Sequence, residues 1–323
     1  MPLHPQAESW RARRLAENVP PLYTQTLAEA RAADLAEILA GGGDPEPVAE
    51  VIDRELPGPD GLLPIRIYRP TVDVELPAAD GGRPTGAGGR PALVYFFGGG
   101  WTLGQIDTCD GICRRLANLV GCVVIAAGYR LAPEHKFPAP VQDCLAAVRW
   151  VSSHASELAV DPDRIAVGGD SAGGNLAAVV ALQAGSLLCA QLLVYPNTLY
   201  GSDTPSMRDN DDPVLFNRRS VQWYWQHYLA SADDGRDPRA SPLLAADHSG
   251  LPPALVITAE YDPLRDEGEL YAEQLRAAGV PVELTRYDGM MHGFFTMSGV
   301  LDDGRQAVGQ AAEFLRARFG EPT

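Results

Sequence analysis

The chain has 323 residues, 46% of them hydrophobic, so one large core or two smaller ones can be buried. Its formal net charge of -16 argues against nucleic acid or an anionic membrane as partner. No stretch approaches the roughly 18 uncharged apolar residues of a membrane span, and Met1 to Pro21 lacks the apolar core of a secretory signal, which points to the cytoplasm.

Residues 1 to about 45 read as helices broken at Pro20-Pro21, with Leu22 to Leu39 amphipathic and Gly41-Gly42-Gly43 ending the run. Strand patterns follow at Val48 to Ile52 and Leu62 to Tyr68, where Leu63, Ile65 and Ile67 alternate. Residues 76–91 are rich in Gly, Pro and Ala and read as an exposed loop. Ala92 to Phe97 is a buried strand that runs into Gly98-Gly99-Gly100. A helix is expected at Ile106 to Leu119, a strand at Cys122 to Ala127, and a helix at Pro140 to Leu158. Arg164 to Gly168 and Asn175 to Val180 form the next strand and helix, and Gln191 to Tyr195 the next strand. Residues 196–250 form a long insert with a helix at Arg219 to Leu229. The chain then alternates: strand Ala254 to Thr258, helix Glu267 to Ala278, strand Val282 to Tyr287, helix Gly304 to Phe319. Alternation from residue 92 onward implies βαβ units and a mostly parallel sheet, an α/β fold. The two segments outside that alternation, 1–45 and 196–250, are the candidates for a lid over the carboxyl edge of the sheet, where such folds bind ligands. The domain reading is therefore 1–45 as a helical cap segment and 46–323 as a catalytic domain carrying a cap insert.

Between the strand at Arg164 and the helix at Asn175 stands Gly169-Asp170-Ser171-Ala172-Gly173-Gly174. A G-x-S-x-G between strand and helix is a nucleophile elbow: a sharp turn lifts the Ser hydroxyl above the sheet edge, and flanking glycines permit close strand–helix approach. Ser needs a base. Of the three histidines that follow it, His292 alone lies between the last strand and the last helix, in Gly289-Met290-Met291-His292-Gly293-Phe294. An acid to orient it belongs in the loop after Ala254 to Thr258. Asp262 is central there, with Glu260 as its rival, while Asp266 and Glu267 read as acids at a helix N-terminus. Oxyanion donors are expected from the backbone of Ala172 and from the glycine run.

Five cysteines (Cys109, Cys113, Cys122, Cys144 and Cys189) read as reduced structural thiols, and Cys109 and Cys113 lack the neighbouring ligands a metal site needs. Neither metal nor organic cofactor is called for. Trp223, Tyr224, Trp225 and Tyr228 form an aromatic group on the insert helix; Trp223, with Phe97 and Trp101, is the candidate pocket lining. Arg130 and Glu134 read as a buried pair, and Asp170 as pointing away from the nucleophile toward loop backbone.

With these residues in hand, the chain resembles the hormone-sensitive-lipase-like esterases of the α/β-hydrolase superfamily over roughly residues 60–318. The resemblance rests on Gly169 to Gly174, on Tyr129-Arg130-Leu131-Ala132-Pro133-Glu134, on Asp262-Pro263-Leu264-Arg265-Asp266 and on Met291-His292-Gly293-Phe294. It implies an α/β-hydrolase fold with a helical cap and a Ser171–His292–Asp262 triad. It also implies oxyanion donors at Gly98, Gly99 and Ala172, and hydrolysis of short- to medium-chain carboxylic esters without cofactor. Phe97 stands where that family usually has His. Members often pair through the last strand and helix, here about 282–318, which makes a homodimer an option. Amide or carbamate hydrolysis and acyl transfer on the same triad, and a non-catalytic ligand receptor, remain alternatives.

Overall fold

The computed structural model describes residues 2–71 and 89–320. Two helices open the chain, α1 (Pro5–Ala16) and α2 (Leu27–Gly42). The second begins later than the amphipathic run suggests, because Thr26 and Glu29 form a capping box: the Thr26 hydroxyl accepts the Glu29 N–H and the Glu29 carboxylate accepts the Thr26 N–H. Leu22–Thr24 is instead a single 3-10 turn behind Pro21.

A hairpin, β1 (Glu50–Gly58) and β2 (Gly61–Arg69), joins the sheet antiparallel through β2. Most of the expected loop at 76–91 lies outside the described residues; Arg90 and Pro91 belong to β3 (Arg90–Phe96). Then follow α3 (Ile106–Val120), β4 (Val123–Ala127), α4 (Ala139–Ser153), α5 (Ala155–Leu158) and β5 (Val160–Asp170). The single helix expected over 140–158 is thus two, divided at His154. Next come α6 (Ala172–Ala184), β6 (Ala190–Val194), α7 (Pro205–Asp209) and α8 (Arg218–Tyr228). Last come β7 (Ala254–Tyr261), α9 (Arg265–Ala277), β8 (Val282–Met291) and α10 (Asp302–Gly320).

Among the described residues, eight strands lie in the order β1-β2-β4-β3-β5-β6-β7-β8, parallel from β4 onward. Parallel strands are covered on both faces, and the sequence reads accordingly: Leu93, Val94, Val124, Ile125, Val167, Leu192, Leu193, Val256 and Ile257 are fully buried. All five cysteines are free thiols, four of them buried. Among the described residues, no helix is long and apolar enough to cross a membrane.

This topology brings the carboxyl ends of β3, β5, β6, β7 and β8 to one edge. The chain segments leaving those ends carry Gly98 to Gly100, Ser171, Tyr195, Asp262 and His292.

Candidate active site

Ser171 joins β5 to α6 in a conformation that L residues avoid, φ 55° and ψ -119°. The neighbours hold it there. A Cβ on Gly173 would stand 1.9 Å from the Phe96 carbonyl oxygen, and one on Gly169 would stand 2.4 Å from the Gly173 backbone. The turn is therefore clamped between β3 and its own helix, as the G-x-S-x-G spacing requires. The Ser171 N–H donates to the Val194 carbonyl at 2.8 Å, and Oγ is left facing the cavity.

His292 Nε2 lies 3.0 Å from Ser171 Oγ, and its Nδ1 lies 2.7 Å from Asp262 Oδ2. Asp262 is fully buried, and its second oxygen accepts the Leu264 N–H at 2.8 Å. The two carboxylate oxygens are thus split between the imidazole and the backbone of its own turn. The imidazole is packed on both sides: Phe216 stacks on it at 4.1 Å between ring centroids, and Tyr195 leans on it at 4.5 Å. Glu260, the rival acid, accepts the Gly289 N–H at 2.6 Å instead and so braces the turn that leads to His292.

The glycine run after β3 differs from its sequence reading. Gly98 packs against the Asp170 carboxylate, where a Cβ would meet Oδ2 at 2.4 Å, and it does not line the cavity. Gly99 and Gly100, both at positive φ, line the cavity beside Ser171. Asp170 is buried, accepts the Tyr95 hydroxyl at 2.8 Å, and also lines the cavity. Burial pushes its pKa up to about 6, although the Tyr95 hydrogen bond, the nearby His292 and the Gly98 N–H pull the other way.

Above the sheet edge lies a cavity of about 210 Å³. Its walls come from α1 and α2, from the loop after β3, and from the insert, whose Leu215, Phe216 and Tyr224 face it. None of Phe97, Trp101 and Trp223 lines it. Phe97 stacks on Tyr129 at 4.4 Å, and the Tyr129 hydroxyl donates to the Phe97 carbonyl, so this aromatic pair supports the glycine loop from below. Trp101 is fully buried, stacked on Tyr228 at 4.2 Å. Trp223 packs on His227 at 4.0 Å; the cavity face of α8 is Ser220 and Tyr224, one turn apart, and Trp223 is rotated off it.

Arg130 and Glu134 do not pair. Arg130 forks onto buried Asp143, with Nη2 to Oδ1 at 2.8 Å and Nε to Oδ2 at 2.8 Å, while half-exposed Glu134 accepts from both terminal nitrogens, Nη1 and Nη2, of Arg31 on α2. Arg31 also donates to the carbonyls of Thr102 and Ala132 and so ties α2 to the loops around the site.

The carboxylates that α2 brings to the cavity are missing from the sequence reading. Ala30, Ala33, Asp34, Glu37 and Ile38 line it from α2 at i, i+3, i+4, i+7 and i+8. The signal was available: two carboxylates, Asp34 and Glu37, three residues apart on a helical stripe otherwise made of Ala30, Ala33 and Ile38.

The family model for the alpha/beta hydrolase fold matches residues 93–296. The carboxylic ester hydrolase LipN of Mycobacterium tuberculosis is 42% identical over 285 residues, which span 85% of this chain and 72% of that protein. The ethyl acetate hydrolase of Pseudomonas putida is 37% identical over 94% of each chain. Among solved structures, a hyperthermophilic esterase from Pyrobaculum calidifontis superposes with a TM-score of 0.88 at 41% identity, covering 98% of this chain and 99% of that one.

Proposed function

The chain belongs to the hormone-sensitive-lipase-like esterases of the α/β-hydrolase superfamily and is a carboxylic ester hydrolase, and on that premise we propose a mechanism on Ser171, His292 and Asp262. His292 Nε2 takes the Ser171 proton as Oγ attacks the ester carbonyl. Asp262 holds Nδ1–H and stabilises the imidazolium that forms. The oxyanion is received by the backbone N–H groups of Gly99, Gly100 and Ala172. Ala172 opens α6, so its N–H has no acceptor within the helix and lies at the positive end of the dipole. Protonated His292 then gives its proton to the departing alcohol, and a water activated by the same base releases the acid from the acyl-enzyme. The observation that carries this reading is the continuous chain from Ser171 Oγ through His292 to Asp262, at 3.0 and 2.7 Å, on the cavity floor.

The substrates in this reading are esters of short- to medium-chain acids. A cavity of about 210 Å³, walled by residues of 1–45 and of 196–250, suits small acyl groups; these two segments act as the cap over the catalytic domain. The test is hydrolysis of p-nitrophenyl acetate, butyrate, octanoate and palmitate by wild type and by Ser171→Ala. Turnover of the short esters that vanishes in the variant supports the reading. A palmitate preference overturns the chain-length claim, and undiminished activity in the variant overturns the nucleophile.

A further inference from the structure

The cavity holds more negative charge than the proposed chemistry uses. Asp34, Glu37 and Asp170 all line it, whereas the side chains able to carry positive charge are Arg14 and His292. Arg14 is already committed: it pairs with Glu37 and donates to the Val214 carbonyl at 3.0 Å. His292 is committed to Ser171 and Asp262. Asp170 is met by the Tyr95 hydroxyl. Asp34 is left over. Its Oδ2 is buried with no hydrogen-bond partner among the described residues. Its charged neighbours, Glu37 on the same helix and Asp170 on the facing strand end, both repel it, and Tyr224 of α8 lies within the field of Asp34 and Glu37. An incompletely paired buried carboxyl costs stability, and no other cation among the described residues of the cavity wall relieves it.

We propose that Asp34 is a specificity residue that selects esters bearing a protonated amine over their neutral isosteres. A substrate ammonium would bring the missing charge, with its N–H on the Asp34 carboxylate and its alkyl groups against the rings of Phe216 and Tyr224, surfaces that suit a cation. The inference rests on the esterase reading above, and adds to it the class of substrate. It also predicts a pH dependence. Burial and the two neighbouring carboxylates push the Asp34 pKa up to about 7, so the carboxylate that attracts the amine is lost as pH falls through that value.

Two matched pairs test it, one for each arm of the ester. The alcohol arm is 2-(dimethylamino)ethyl butyrate against 3-methylbutyl butyrate. The acyl arm is ethyl 4-(dimethylamino)butanoate against ethyl 5-methylhexanoate. In wild type at pH 7.5 the amine of one pair should lead in kcat/KM by about tenfold or more, the size expected of a hydrogen bond to a charged group. That lead should shrink toward unity at pH 5.5, and the ratio within each matched pair cancels effects common to both members. Asp34→Asn, which keeps the shape of the side chain, should abolish it. The same pairs are titrated calorimetrically onto Ser171→Ala protein, where the Kd ratio reads Asp34 without chemistry. No lead for the amine in either pair, or a lead that survives Asp34→Asn, overturns the proposal. If wild type hydrolyses no ester at all, the esterase reading fails, while the Kd ratio still decides the role of Asp34.

Discussion

The sheet edge beneath the cavity and the helices above it are held by different kinds of contact. Below, backbone meets backbone. Gly169 and Gly173 sit where no side chain fits, Ser171 is forced to positive φ, and its N–H is fixed to β6. Above, long side chains reach across the sequence. Arg31 spans from α2 to Glu134 and two carbonyls, Arg11 to Asp212, and Arg14 to Glu37. Backbone contacts in a packed interior tolerate little displacement. Half-exposed ion pairs contribute modestly and are screened by salt. The same site therefore has a floor fixed in place and a roof that can be adjusted, which suits chemistry below and substrate choice above.

The widest separation between the two should appear on mutating the floor. Ser171→Ala is expected to lower kcat by about 10⁴-fold or more while leaving the melting temperature near that of wild type, since one buried hydroxyl is lost and no cavity opens. Gly173→Ala should come next. Its new Cβ would overlap the Phe96 carbonyl, at 1.9 Å, so β3 and the elbow must part. A misplacement of about 1 Å costs roughly 10²-fold in rate, and here it should come with a lower melting temperature. Full activity in this variant would mean that the floor is as adjustable as the roof.

The same division decides what could be read from sequence. The strand–helix alternation, the elbow and the loops that carry Asp262 and His292 were legible, because each depends on local pattern: apolar runs, glycines at fixed offsets, a loop after a given strand. Element ends were less so. The start of α2 is set by the Thr26–Glu29 capping box rather than by its hydrophobic stripe. What failed were choices of facing. Three consecutive glycines give no sign which of them face the cavity; Gly99 and Gly100 do, while Gly98 packs against Asp170, 72 residues further on. Trp223 and Tyr224 are adjacent in sequence but about 100° apart around α8, and only Tyr224 reaches the cavity. Arg130 chose Asp143 and Arg31 chose Glu134, partners that only the folded chain brings close.

The roof should respond more gently. Arg31→Ala removes three tethers of α2, two to carbonyls and one to exposed Glu134. KM for p-nitrophenyl butyrate should rise by about threefold to tenfold with kcat little changed, and residues 1–45 should be cleaved sooner in limited proteolysis. A fall in kcat at constant KM would instead tie α2 to the geometry of the floor.

The smallest effect is expected at the joint between the two regions, where a pH scan reads it. Glu267 on α9 is fully buried, and its Oε1 accepts the N–H groups of Thr198, at 2.8 Å, and Leu199, at 3.2 Å, where the chain leaves β6 for the insert. Burial pushes its pKa up to about 8, above the 4.5 of an ordinary Glu, with the Asp262 charge adding to the rise and the two backbone donors opposing it. In the range between those values the unfolded chain has released this proton and the folded one retains it. The folded state is therefore penalised progressively as pH rises, not at all below about 4.5 and fully above about 8. Glu267→Gln keeps an oxygen for both N–H groups and removes the titration. Its melting temperature should match that of wild type near pH 5 and exceed it by a few degrees at pH 9. Parallel pH curves for the two proteins would show that the joint carries no such penalty, and that the boundary between floor and roof is as well satisfied as the floor itself.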